Sequence, residues 1–127
     1  VDIDQPNVLI ACAPSRWLDK LRLMVQEVVG RPSQCVGDTQ KAWEALRHGS
    51  IALLVVDDSL GLEPVRVLLR NIVNSGLSVS LKVIFTTHSV VRAMTDFPGN
   101  PENTLILEQP VQLDSLRNCF RLLLGQA

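Results

Sequence analysis

Apolar residues in this chain fall into short unbroken runs, separated by longer stretches where they recur every three or four positions. The runs are Asn7 to Cys12, Gln34 to Val36, Ile51 to Val56, Leu81 to Phe85 and Thr104 to Leu107. Runs of this length read as strands, and the periodic stretches read as amphipathic helices. Leu18, Leu21, Val25 and Val28 share one face of a first helix that Ser15 can cap and that Gly30 and Pro32 stop. Asp38 opens a second helix through Ala42, Ala45 and Leu46, closed at His48-Gly49. Gly61 opens a loop before a third, with Pro64 in its first turn, Val65, Leu68, Leu69, Ile72 and Val73 on its apolar side, and Gly76 at its end. A weak fourth helix, Ser89 to Met94, runs into the breaker-rich loop Pro98 to Pro101. A fifth follows Gln109-Pro110 and carries Leu113, Leu116, Phe120 and Leu123 on one stripe.

Strict alternation of strand and helix predicts an α/β domain with a parallel sheet and right-handed crossovers. The expected architecture is three-layer (βα)5, flavodoxin-like, with a five-stranded parallel sheet of order 2-1-3-4-5. The run from Ile51 is apolar at successive positions, as a central strand covered by helices on both faces requires. Sites in such sheets form at the carboxyl ends of the strands. Asp57, followed by Asp58, stands at that end of the third strand.

Composition narrows the picture. The 127 residues are 46% hydrophobic and 20% charged, which suits one globular core. The reading is a single domain over 1–127, with residues 1–6 as a linker and the whole as a module of a longer protein. A formal net charge of −1 and the lack of any Lys/Arg block argue against direct nucleic-acid binding. No apolar run approaches the roughly 18 residues that span a bilayer, and no signal peptide is visible. Cys12, Cys35 and Cys119 are an odd count without metal-site spacing, which points to a reducing cytoplasm.

The strand spacing, Asp57 after strand three and Leu107-Glu108-Gln109-Pro110 at the end of strand five together resemble the receiver domain of two-component response regulators and hybrid histidine kinases. The resemblance covers nearly the whole chain. It implies two acidic residues after strand one that hold Mg²⁺, an Asp nucleophile after strand three, a hydroxyl after strand four, and a Lys before Pro after strand five. Here the acidic pair falls on Cys12 and Ala13, the nucleophile on Asp57, the hydroxyl on Thr86 and the Lys on Gln109. The strand-five aromatic that the family uses as a switch falls on Ile106. The form it resembles is therefore a degenerate one, a pseudo-receiver.

These replacements remove charge. Mg²⁺ takes near-octahedral oxygen coordination and usually one or two protein carboxylates, and Asp57 is the one carboxylate left in place. Successive side chains of an extended strand point to opposite faces, so the spacing disfavours Asp58 as a second ligand, although it could swing round where the strand ends. Phosphoryl transfer depends on positioning and charge neutralisation. Each missing electrostatic stabiliser raises a barrier by about 3 kcal/mol, by analogy with oxyanion-hole donors. Metal and cofactor are therefore expected to be absent, and enzymatic activity with them.

The remaining residues carry milder readings. Cys12 reads as a small buried hydrophobe rather than a reactive thiol, and Gln109 as a neutral remnant. His48 suits a helix C-terminus, and His88 reads as a surface-loop residue. Trp17 lies just off the apolar stripe of the first helix, as an interface anchor or as rim packing. Val90, Val91, Met94 and Leu105 would lie on the face by which the family docks.

The expected function is a degenerate receiver in two-component signal transduction. It would regulate by docking on a protein partner, a neighbouring domain of a sensor kinase or response regulator, or a second copy of itself, without Mg-dependent phosphorylation. The rival is a working phosphorelay receiver with an atypical site that accepts phosphate on Asp57. A small flavodoxin-like enzyme ranks behind both, because no nucleophile–base pair can be assembled.

Overall fold

The computed structural model describes residues 7–77, 80–89 and 103–124. Five parallel strands form one sheet in the order β2-β1-β3-β4-β5. They are β1 (Val8–Ala11), β2 (Gln34–Val36), β3 (Leu53–Asp57), β4 (Lys82–Thr87) and β5 (Thr104–Glu108). The described helices are α1 (Arg16–Val29), α2 (Thr39–His48), α3 (Leu62–Asn74) and α4 (Leu113–Leu124). This is the flavodoxin-like topology that the alternation predicted. The expected linker at 1–6 lies outside the described residues. So do Val90, Val91 and Met94 of the expected fourth helix, and the Pro98 to Pro101 loop.

Local chemistry sets the helix ends. Ser15 Oγ accepts the Leu18 N–H at 3.1 Å and starts α1. Gly30, at φ 86, closes it in the left-handed conformation that glycine adopts without steric cost. Asp38 Oδ1 accepts the Lys41 N–H at 2.7 Å and starts α2. Each cap satisfies a donor that the first helical turn leaves without a partner.

The sheet divides the core in two by strand parity. Leu9, Ala11, Leu54, Val56, Val83 and Phe85 pack on one face with α2 and α3, through Ala42, Leu46, Val65, Leu68 and Ile72. Val8, Ile10, Cys12, Leu53, Val55 and Ile84 pack on the other with α1 and α4, through Leu21, Val25, Leu116 and Phe120. Every residue of β3 is buried, and burying one such aliphatic side chain contributes about 1.5–3 kcal/mol. The register sets Asp57 beside Thr86 across the β3–β4 ladder. Two interior strands thus end in polar side chains at the same edge.

Candidate functional site

Parity sorts the polar residues at the carboxyl edge before any detail of the site does. Asp57 continues the odd positions Leu53 and Val55, so it faces α1 and α4. Thr86 continues Ile84, and Cys12 continues Ile10, onto that same face. Asp58 and Thr87 are displaced by one residue and face the α2–α3 side.

Asp57 is fully buried, and donors from four parts of the chain meet its carboxylate. Oδ1 accepts from Trp17 Nε1 at 2.9 Å, from Gln109 Nε2 at 2.7 Å and from Thr86 Oγ1 at 2.5 Å. Oδ2 accepts the Ser59 N–H at 3.0 Å, which ties the carboxylate to the short 3-10 turn Asp58–Leu60. A carboxylate offers about four lone-pair positions, so these donors nearly exhaust it. All of them are uncharged. Among the described residues, no Lys or Arg forms an ion pair with Asp57.

Cys12 and Ala13 form a seam with the same turn. The Cys12 Sγ lies 3.5 Å from Ser59 Oγ, and that hydroxyl accepts the Ala13 N–H at 3.1 Å. Burial pushes the Cys12 thiol up from 9.0 to about 11; the Ser59 hydrogen bond works against this and the charge of Asp57 adds to it. Cys12 is a protonated thiol near neutral pH, a poor nucleophile and a poor metal ligand.

Asp58 has its own partners. Its Oδ2 accepts from Thr87 Oγ1 at 2.9 Å and from the His88 N–H at 2.7 Å, and the His88 ring Nδ1 lies 3.1 Å from its Oδ1. His88 is exposed, as expected of a loop residue, yet it is tied to a carboxylate that the sequence left unassigned. The Asp58 side chain spends its lone pairs on the far face and does not join Asp57.

The other sequence-derived positions are placed as follows. Ile106 is half-buried and packs with the α2–α3 core, while Leu105 points to the opposite face and packs against the α1–α4 core. Trp43 lines a cavity of about 450 Å³ between α2 and α3, together with Pro64, Val67 and Leu68. It is remote from Asp57 in the sense that the whole sheet lies between them.

Sequence reasoning missed Trp17. Its ring does pack at the rim of the α1–α4 core, as one of the two readings had it, but its indole N–H also enters the Asp57 site, which neither reading foresaw. No local pattern around Trp17 points to Asp57, forty positions away in sequence. Gln109 was also underestimated. Its backbone N–H bonds Thr87 O at 2.7 Å, and that fixes the side chain where it reaches Asp57.

Chemically, this is a carboxylate lined by hydrogen donors. A divalent cation binds lone pairs, whereas the groups around Asp57 present hydrogens. No group of three or more His, Cys, Asp or Glu side chains with metal-binding geometry occurs among the described residues.

No protein-family model matches the sequence, and no curated protein matches it. Solved structures do. A response regulator receiver protein from Sinorhizobium medicae aligns with a TM-score of 0.74 at 19% identity, over 98% of this chain and 98% of that one. The receiver domain of a sensor histidine kinase from Pseudomonas aeruginosa, with a magnesium ion coordinated in its active-site cleft, aligns at 0.75 and 15% identity, over 94% and 98%. A sensor protein from a Polaromonas species aligns at 0.76 and 18%, over 95% and 98%. The chain has the receiver-domain fold.

Proposed function

We propose that this chain is a degenerate receiver domain of two-component signalling. It regulates by docking on a protein partner or a neighbouring signalling domain, and it does so without Mg²⁺-dependent phosphorylation and without enzymatic activity of its own. One observation carries the reading: the Asp57 carboxylate is buried and engaged by Trp17, Gln109, Thr86 and Ser59, all neutral donors. A carboxylate that attacks phosphorus needs nearby cations to take up the charge that develops, and the donors that meet Asp57 bring none. Magnesium does not suit a pocket of converging N–H and O–H groups, and the P. aeruginosa receiver, whose cleft coordinates magnesium, is the instructive contrast. With the chemistry silent, what the fold offers is surface and shape. A cytoplasmic setting follows from the same reading, as the place where such partners act.

The rival, an atypical phosphorelay receiver, draws on the Thr86 hydroxyl beside Asp57. The two separate on one experiment. Wild type and Asp57→Ala are incubated with acetyl phosphate and Mg²⁺, then with beryllofluoride and Mg²⁺, and followed by intact mass and by NMR. The expected result is no phosphoryl adduct and no saturable spectral change. A saturable adduct on the wild type that the Ala variant lacks would overturn the reading in favour of the rival.

A further inference from the structure

We propose that Trp17 is the positioning residue that closes the Asp57 site, so that access to this carboxylate is set by how the first turn of α1 sits on the sheet. The inference deepens the reading above, on which it rests for the identity of the site, by naming what regulates it.

The argument starts from where the donors come from. Thr86 belongs to β4, Gln109 directly follows β5, and Ser59 belongs to the turn that leaves β3. All three are held by the sheet ladder or by the chain next to Asp57 itself. Trp17 is different. It is the second residue of α1, forty positions from Asp57 in sequence. Its two attachments are the ring packed on the α1–α4 core and the N–H donated to Oδ1.

Exposure supports the same assignment. Asp57 ends a strand at the sheet's edge, the place where a carboxylate ordinarily meets water, yet it is 0% exposed. Its neighbour Asp58, at the same edge but on the other face, keeps 14% of its side chain in solvent. An indole is large enough to account for this difference, since it covers on the order of 150–250 Å².

Two states follow: Trp17 in and Asp57 covered, or the first turn of α1 displaced and Asp57 bare. A partner that binds the α1 turn better in the displaced state shifts the population toward it. The site then reports on α1 without any chemistry of its own.

The test uses the whole 127-residue chain with a water-soluble carbodiimide and glycinamide as the carboxyl-labelling probe, at fixed pH, with peptide mapping by mass. Asp57 labelling is read as a ratio to Asp58 in the same molecule. Trp17→Ala is expected to raise that ratio roughly tenfold, as a lowered cost of local opening does. An unchanged ratio overturns the proposal, and so does a parallel rise at both residues, which marks general loosening. Should Trp17→Ala fail to fold, Trp17→Phe keeps the packing and loses the N–H. A severalfold rise at Asp57 is expected there, and an unchanged rate overturns the proposal. Phosphorylation of wild-type Asp57 would sink the reading of function by a separate readout and leave the labelling ratio to judge Trp17.

Discussion

Among the described residues the Asp57 carboxylate meets four donors and no cation, and this decides what its removal does. In a site crowded with carboxylates, deleting one relieves repulsion. Here Asp57→Ala takes the acceptor from the part-buried donors of Trp17 and Gln109 and from the buried Thr86 hydroxyl, which keeps Val56 O at 3.5 Å; a buried donor left unmet costs about 1–3 kcal/mol. Because water and Val56 O can take up part of the loss, the expected fall in urea denaturation is roughly 2 kcal/mol. Asp57→Asn keeps one acceptor oxygen but turns amide hydrogens toward the Ser59 N–H, for a loss of about 1–2 kcal/mol. A neutral or stabilising Asp57→Ala would show that the carboxylate is not held as described. Cys12 gives a pH test. Its thiol ionises near 9.0 when unfolded and near 11 when folded. The unfolded chain therefore loses its proton first. The Cys12 contribution to stability is whole below pH 9 and is lost as the pH climbs from 9 through 11. Urea midpoints across that window should fall less steeply in Cys12→Ala than in the wild type.

At the scale of elements, α1 matters most, because it carries Trp17 to the site. Its register on the sheet begins at the Ser15 cap. Ser15→Ala is expected to cost about 1 kcal/mol in thermal or urea unfolding, while Ser15→Asp, which keeps a capping oxygen, stays near wild type. The strands and helices were legible in the sequence because each announces itself locally: Ser15 and Asp38 as caps, Gly30 as a stop, and the apolar run before Asp57 as a central strand. Strand parity also separated Asp58 from Asp57 in advance. The contacts of the site were less legible. Trp17 and Asp57 meet across forty positions, through a crossover whose landing point no local pattern encodes. Gln109 shows the same limit from the other side. Its lack of charge was plain from its residue type, but that it reaches Asp57 depends on a backbone bond to Thr87 on the neighbouring strand.

For the whole molecule, the proposed function predicts indifference to magnesium. A domain that bound Mg²⁺ with a dissociation constant near 1 mM would gain about 1.4 kcal/mol at 10 mM, since only the folded state holds the ion. In a domain of this size that shift moves the melting temperature by several degrees, roughly. The expected outcome is no measurable change in thermal midpoint between 10 mM Mg²⁺ and excess chelator, by calorimetry or circular dichroism. A shift that disappears in Asp57→Ala would place the ion on the carboxylate and contradict the donor-lined description. The two half-cores on either side of the sheet predict cooperative unfolding regardless, because β1 and β3 contribute side chains to both.

The seam between Ser59, Cys12 and Ala13 has a consequence for anyone who tries to build a phosphate-accepting centre into this chain. Cys12→Asp alone sets a second carboxylate beside Asp57, with no cation among the described residues to separate the two. Gln109→Lys replaces an amide donor to Asp57 with an ammonium that donates as well and brings in the counter-charge. Trp17→Ala alone uncovers the pocket and leaves it short of a donor. An added acid or a removed indole costs stability unless the lysine is already in place to answer the charge, so the acids, the lysine and the missing indole depend on one another. The seam behaves as a ratchet: the order of substitutions, and not just their identity, decides whether the intermediates fold.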